Sequence, residues 1–156
     1  MFDEKMQGKH LMLDIIVKSG ENLTNPEKGQ KLLEDIIETI GMTMVLPPIT
    51  VKFPHAISEM KRTLTTLRNE GLGDSKAATE LAIDLEKRKK QEYGYSSFVM
   101  IAESHLSMHT FPELNYFSFD CYSCKNFDSG MLMEVLHKHF KIIKLIRQET
   151  ERKIPV

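Results

Sequence analysis

The first part of the chain alternates between apolar runs and polar turns in a way that predicts strand and helix. Residues 9–17 are mostly apolar and end in β-branched side chains, which is typical of a strand. After a polar turn, apolar residues recur at helical spacing as far as Ile40, and Gly41 supplies a C-terminal stop. Asn25 is the expected N-cap of this helix, with Pro26 at its first position.

The next segment predicts an edge strand followed by two helices. Residues 42–53 are typical of a second strand. Pro47 and Pro48 confine that strand to a sheet edge or a bend, because proline cannot donate to a strand ladder. Residues 54–91 carry apolar positions at helical spacing on both sides of a Gly-Leu-Gly turn, which predicts two amphipathic helices.

The second half of the chain predicts three strands in succession, then a helix and a last strand. Apolar stretches between turns favour strands at residues 96–102, 105–110 and 116–122. Asp128 or Ser129 is placed to cap the helix that follows. Residues 142–146 predict a final strand, after which the sequence indicates a polar tail.

This order of elements predicts an α+β fold. Such elements form a two-layer α/β sandwich, with a mostly antiparallel sheet and helices on one face. A length of 156 residues is large enough for a real hydrophobic core and is most simply one domain. We therefore expect residues 1–156 to form a single domain.

Composition and charge narrow the classes of function. A net charge of −1 and a pI near 6.6, with basic and acidic residues spread along the chain, argue against nucleic acid or an anionic membrane as a partner. The N-terminus lacks the regions of a signal peptide, and no apolar segment is long enough to span a bilayer. The two cysteines, Cys121 and Cys124, are too few for a disulfide scaffold. We therefore expect a cytoplasmic protein.

Reactive side chains are most crowded in residues 99–113. An apolar run stops at Glu103 and Ser104, and two histidines, a second serine, a proline and another carboxylate follow. Each of these polar groups costs free energy when it is buried without a partner. Such crowding therefore indicates a functional site rather than a strand that only fills a core.

This segment also resembles a known family. The matching residues are Glu103-Ser104-His105, Ser107-x-His109-Thr110-x-Pro112-Glu113 and Asp120-x3-Cys124, with a weaker match at Gly8-Lys9-His10-Leu11. They are similar to the processing and active-site segment of the S-adenosylmethionine decarboxylases, above all to the short prokaryotic branch. The resemblance implies a proenzyme that makes a covalent pyruvoyl group in place of pyridoxal phosphate.

The resemblance also bears on residues 54–91. Short members of the family are expected to have a much shorter connection at this point, so we interpret the stretch as an insertion. Two interpretations of the insertion are open. It is either a surface helical hairpin without a catalytic part, or a lid or subunit contact over the site.

The resemblance implies a role for five residues. Self-cleavage is expected between Glu103 and Ser104, where the serine hydroxyl attacks the preceding carbonyl and residue 104 becomes the pyruvoyl group. His109 falls at the family's proton-abstracting histidine, and Ser96 at its hydroxyl that assists processing. Cys124 matches the cysteine that returns a proton to the substrate carbon, a role that suits a thiol.

The substrate that the resemblance implies is S-adenosylmethionine. Glu113 falls at a carboxylate that accepts hydrogen bonds from ribose hydroxyls, and Phe111 and Tyr95 are aromatic residues that could stack on adenine. Lys90 stands where the family commonly has a phenylalanine that stacks on the base, so ornithine or arginine is an alternative substrate. An unprocessed, non-catalytic homologue that acts as a partner or regulator is a second alternative. The resemblance further implies a homodimer with its site near the sheet edge.

The same region admits a metal or redox site. Four residues are zinc-type ligands, and the last two have the spacing of a redox pair: His105, His109, Cys121 and Cys124. On straight strands, however, Cys121 and Cys124 point to opposite faces. We therefore expect no metal, and we expect Asp120 to be a structural hydrogen-bonding partner.

Overall fold

The computed structural model of the chain describes residues 7–52, 55–90 and 92–153. The strands are β1 (Gln7–Val17), β2 (Ile49–Lys52), β3 (Tyr95–Ile101), β4 (Ser104–Phe111), β5 (Tyr116–Ser123) and β6 (Ile142–Lys153). The helices are α1 (Pro26–Thr39), α2 (His55–Asn69), α3 (Lys76–Lys89) and α4 (Ser129–His139). All strands form one antiparallel sheet in the order β2-β3-β4-β5-β1-β6. The prediction of an α+β fold with an antiparallel sheet is confirmed.

The chain divides into two compact units, and the first contains the whole sheet. This unit comprises Met1–Lys52 with Gly94–Val156, and the second comprises Phe53–Tyr93. In the first unit, Asn25 caps α1 as predicted and accepts a hydrogen bond from the backbone N–H of Glu27 at 3.0 Å. Asp128 caps α4 and accepts from the N–H groups that open that helix.

The hydrophobic core of the first unit lies on one face of the sheet. Leucines and isoleucines of α1 and α4 pack there against alternate residues of β1, β3, β4 and β5. Residues that alternate with these point to the other face, which no described helix of the same unit covers. This open face carries exposed apolar side chains at Ile49, Val51, Phe98, Met100, Phe111 and Ile146. Ile49, Val51, Phe98 and Met100 are neighbours on the adjacent strands β2 and β3, and an exposed apolar cluster of this kind indicates an interaction face.

The second unit is a helical hairpin with a small core of its own. Helices α2 and α3 pack through Ile57, Leu64 and Leu85, and a turn at residues 70–75 joins them. Ser75 caps α3 by accepting a hydrogen bond from the N–H of Ala78 at 3.2 Å. The two helices predicted on either side of the glycine-rich turn are therefore present. That the hairpin is an insertion within a single domain stays a prediction.

Both edge strands differ in length from their predictions. The predicted strand 42–53 is broken at its two prolines, so that only Ile49–Lys52 is continuous and Met44 makes an isolated bridge to Ile101. Phe53 lies outside the described residues. The predicted polar tail after residue 146 is wrong, because β6 continues to Lys153 and pairs with β1 along its length. An edge strand with both faces largely exposed needs no apolar alternation, and so the sequence pattern did not reveal it.

Candidate active site

The predicted cleavage point lies in the turn of the β3–β4 hairpin. Ile101 pairs with Ser104, which leaves Ala102 and Glu103 as the turn residues. Glu103 has a φ of 62°, in the left-handed region that residues with a side chain adopt at a cost of about 1 kcal/mol. The Glu103–Ser104 peptide bond therefore joins a strained turn residue to the first residue of a strand.

The hydroxyl of Ser104 is held beside Cys124. Ser104 is 9% exposed and pairs with Ser123 at the end of β5. The backbone N–H of Cys124 donates a hydrogen bond to Ser104 Oγ at 3.2 Å. Cys124 Sγ lies in turn 3.4 Å from Tyr122 Oη. The structure thus brings together two of the predicted site residues, Ser104 and Cys124, and adds Tyr122 to them.

Ser96 and His109 form a second pair on the open face. They are directly opposed residues of β3 and β4, and Ser96 Oγ lies 2.7 Å from His109 Nδ1. When the serine donates in this bond, the neutral ring carries its proton on Nε2, whereas the reverse tautomer makes the serine the acceptor. A hydroxyl and an imidazole at this distance can relay a proton.

The two pairs are separate within one chain. Strand β4 carries Ser104 at its start and His109 five residues later, a separation of about 17 Å at the usual rise of a strand. An odd number of residues also places their side chains on opposite faces of the sheet. The structure therefore does not bring His109 to Ser104 of the same chain.

Two of the residues predicted to bind substrate, Glu113 and Phe111, are exposed. Glu113 is exposed in a short 3-10 turn, Pro112–Leu114, that follows β4. Phe111 is 40% exposed on the open face and stacks on Tyr116, with ring centroids 5.3 Å apart and planes at 22°. Glu113 and Phe111 are therefore both accessible and close to His109 along the chain.

The structure places Tyr95, which was predicted to bind substrate, in the hydrophobic core. Its side chain is fully buried, its hydroxyl donates to the carbonyl of Asn22 at 3.3 Å, and its ring fills the space that a side chain at Gly29 would need. Burial also raises the pKa of the Tyr95 hydroxyl. Strand alternation is the signal that could have shown this, because Ser96 faces outward and its neighbour must then face the core.

A polar and aromatic cluster lies between the two pairs on the open face. His10 Nε2 is 2.9 Å from Asp120 Oδ1, so Asp120 is a hydrogen-bonding partner, as expected. His105 packs between Phe98 and Tyr122, with ring centroids 5.7 Å from each. Burial, followed by the charge of His10, lowers the pKa of His105, which favours the neutral ring.

The two cysteines have different environments. Cys121 points into the core of the sheet and is fully buried, and burial raises the pKa of its thiol to about 12. Cys124 lies just past the end of β5, partly exposed and next to Ser104. The two thiols therefore do not point toward one metal ion, and only Cys124 is accessible for chemistry.

Comparison with known proteins decides the family. The sequence model described as S-adenosylmethionine decarboxylase matches residues 70–153, which is more than half of the chain. The chain belongs to this family. The matched region includes β3, β4 and β5. It therefore contains Glu103, the Ser104–Cys124 pair and the Ser96–His109 pair, whereas β1 lies outside it.

Two curated relatives of this S-adenosylmethionine decarboxylase family member illustrate how far the sequence similarity extends. S-adenosylmethionine decarboxylase proenzyme 2 of Bacillus cereus is 45% identical over 27% of this chain and 34% of the relative. The proenzyme of Pyrococcus horikoshii is 32% identical over 45% of this chain and 59% of the relative. The chain thus aligns with between a third and three fifths of the length of these relatives.

A solved structure extends the comparison to the whole fold. The crystal structure of the adenosylmethionine decarboxylase from Aquifex aeolicus superposes with a TM-score of 0.65 over 97% of this chain and 95% of that chain. The sequence identity is 19%, so this likeness concerns the fold. The family member described here therefore shares its architecture with that enzyme along nearly its whole length.

Proposed function

We propose that this chain is a self-processing, pyruvoyl-dependent decarboxylase that acts on S-adenosylmethionine. The observation that carries the proposal is the Glu103–Ser104 bond, which joins a residue with positive φ to a serine whose hydroxyl is already engaged. Membership of the family and the name proenzyme given to its relatives support the same chemistry. None of the described helices is long and apolar enough to cross a membrane.

Self-cleavage requires an acyl shift from nitrogen to oxygen. Ser104 Oγ attacks the carbonyl carbon of Glu103, the bond to nitrogen breaks, and an ester forms in its place. A base then removes the Cα proton of residue 104, the Glu103 carboxylate leaves, and hydrolysis of the dehydroalanine releases ammonia and forms the pyruvoyl group. The N–H of Cys124 already donates to Ser104 Oγ, which orients the attacking oxygen. Strain at Glu103 raises the energy of the bond that must break.

A second copy of the chain completes the site in this proposal. Processing and decarboxylation need both a proton acceptor and a proton donor near residue 104, yet His109 lies at the other end of β4. In a homodimer that buries the open face, the Ser96–His109 pair of one protomer would approach the β3–β4 turn of the other, where the Glu103–Ser104 bond lies at the end of the sheet and is accessible from that face. The exposed apolar side chains of that face support this assembly, and a twofold axis would form two equal sites.

The pyruvoyl group fits the place that Ser104 occupies. When formed, this group supplies an electron sink that makes loss of carbon dioxide from the substrate easy. His109, hydrogen-bonded to Ser96, is the proposed proton acceptor during processing, and the Cys124 thiol is the proposed proton donor to the substrate carbon. Both assignments follow the match to the family, with the local contacts as support.

S-adenosylmethionine is the substrate that the accessible side chains favour. Glu113 is exposed and its carboxylate can accept two hydrogen bonds from a ribose diol. Phe111, two residues before Glu113 in the sequence, is exposed and stacks on Tyr116, so its ring is accessible to an adenine base. Lys90 is the C-cap of α3 in the helical unit. Because a lysine at this position offers no aromatic ring to stack on adenine, a basic amino acid remains the alternative substrate.

The direct test is the mass of the purified protein. We expect two fragments divided between Glu103 and Ser104, the second of which has a blocked N-terminus and reacts with carbonyl reagents. Ser104→Ala should give one uncleaved chain with no release of carbon dioxide. Carboxyl-labelled S-adenosylmethionine, ornithine and arginine are then compared in one assay. An intact, inactive wild-type chain would favour the non-catalytic homologue, and release from ornithine or arginine alone would replace the proposed substrate.

A further inference from the structure

The hydroxyl of Tyr122 contacts the thiol of Cys124. The distance between Tyr122 Oη and Cys124 Sγ is 3.4 Å, which is within hydrogen-bonding range for sulfur. Strand β5 ends at Ser123, so the chain bends after the tyrosine and the thiol can approach the ring hydroxyl. On a regular strand, side chains two residues apart are about 6 to 7 Å apart along the strand.

The ring of Tyr122 is confined on several sides. The guanidinium carbon of Arg152 lies over it at 4.6 Å from the ring centroid. Gly8 on β1 leaves space for it, because a Cβ at Gly8 would lie 2.8 Å from Tyr122 Oη and 3.0 Å from its Cε2. His10 meets the ring edge-on, with centroids 6.1 Å apart. The hydroxyl therefore has little freedom to leave Cys124.

We propose that Tyr122 is a positioning residue for Cys124: the tyrosine hydroxyl donates a hydrogen bond to Sγ and fixes the orientation of the thiol, while the backbone N–H of the same cysteine contacts Ser104. This inference rests on the proposed function. When Cys124 gives its proton to the substrate carbon, the sulfur becomes a thiolate, and the Tyr122 O–H remains intact and stabilises that negative charge. Solvent later returns a proton to the sulfur. Tyr122 itself does not touch the reacting carbon.

The electrostatics of Tyr122 support the direction of this bond. The hydrogen bond with Cys124, together with burial, raises the pKa of the Tyr122 hydroxyl above its ordinary value of 10. The hydroxyl therefore keeps its proton at neutral pH and can donate it to the sulfur. Hydrogen bonds to a charged acceptor are roughly twice as strong as neutral ones, so the contact strengthens when the sulfur becomes negatively charged.

The test measures the reactivity of the thiol and does not depend on turnover. The full chain is treated with iodoacetamide at neutral pH, and the alkylation of each cysteine is followed by peptide mass spectrometry. Because thiolate is the reactive form, Tyr122→Phe should slow alkylation of Cys124 by about threefold to tenfold. Tyr116→Phe is the matched control. It removes another hydroxyl from β5, one that bonds to Asp14 at 2.6 Å, and should leave the rate unchanged.

A second variant tests position without removing the hydroxyl. Gly8→Ala places a methyl group against Tyr122 Oη and should also slow alkylation of Cys124. Because the variant Tyr122→Phe has no hydroxyl left to displace, adding Gly8→Ala to it should cause little further change. If Tyr122→Phe reacts as fast as wild type or faster, the proposal is wrong.

Cys121 reports on the fold in the same experiment. It is buried and should stay unreactive in a folded chain. If Cys121 becomes reactive in Tyr122→Phe, that substitution has perturbed the fold, and Gly8→Ala takes its place as the test. Slowed alkylation of Cys124 in Gly8→Ala then supports the proposal, and an unchanged or faster rate refutes it. A protein that shows no self-cleavage but a slowed Tyr122→Phe variant would refute the proposed function and leave the Tyr122 contact in place. In an active enzyme, the same variant should lower kcat with little change in KM.

Discussion

Strain at Glu103 should speed self-cleavage, and two substitutions at this position separate strain from charge. Glu103→Ala removes the carboxylate but keeps a side chain at a φ of 62°, whereas Glu103→Gly removes both the carboxylate and the strain. The difference between alanine and glycine in this region is about 1 kcal/mol. If the transition state releases that strain, the glycine variant should cleave about fivefold more slowly than the alanine variant, since 1.4 kcal/mol corresponds to tenfold.

The assay follows the conversion of newly purified precursor into two fragments by gel or intact mass, with single-exponential fits for each variant. Asn115→Gly is the control, because Asn115 is the other described non-glycine residue with positive φ and lies away from the scissile bond. Its cleavage rate should match wild type. Equal rates for the glycine and alanine variants, or a faster glycine variant, would refute the idea that backbone strain contributes to processing.

Two further predictions concern assembly and stability. If each site draws on two chains, co-expressed Ser104→Ala and His109→Ala chains should recover up to about a quarter of wild-type decarboxylation through mixed dimers, although each is inactive alone; no recovery in isolated mixed dimers would contradict the shared site. Asp35 accepts hydrogen bonds from Lys31 and from His139, the latter at 2.9 Å. Burial raises the pKa of Asp35, but these bonds outweigh it and lower the pKa below 3.8. Asp35→Asn should therefore reduce the free energy of unfolding at neutral pH, and urea titrations at falling pH should show that difference disappearing in acid.

The sequence predicted those elements whose burial imposes a pattern. Helix α1 has both a cap at Asn25 and a buried face with helical period, so its limits were found closely. Strands β3, β4 and β5 lie inside the sheet and carry regular alternation. Strand β6 does not, because its side chains are mostly exposed and charged, and the prediction ended it at residue 146. The charges that hid this strand also protect a free sheet edge.

The candidate site was predicted as a set of residues but not as an arrangement. The resemblance to the decarboxylases implied one chemistry for Ser104, His109 and Cys124, yet sequence similarity does not show which partners the strands bring together. Pairing between β4 and β5 places Cys124 at Ser104, and pairing between β3 and β4 places Ser96 at His109. Tyr122 could not be assigned from its position alone, because its contact with the thiol depends on the bend after Ser123.

The order of strands determines what holds the protein together after processing. A cut between β3 and β4 would assign β1, β2 and β3 to one fragment and β4, β5 and β6 to the other. In the sheet, β1 lies between β5 and β6, and β3 adjoins β4, so the two fragments are interleaved along three strand boundaries. The sheet-containing unit would thus behave as a single cooperative body with two extra termini, and the two fragments would part only when the sheet itself is denatured.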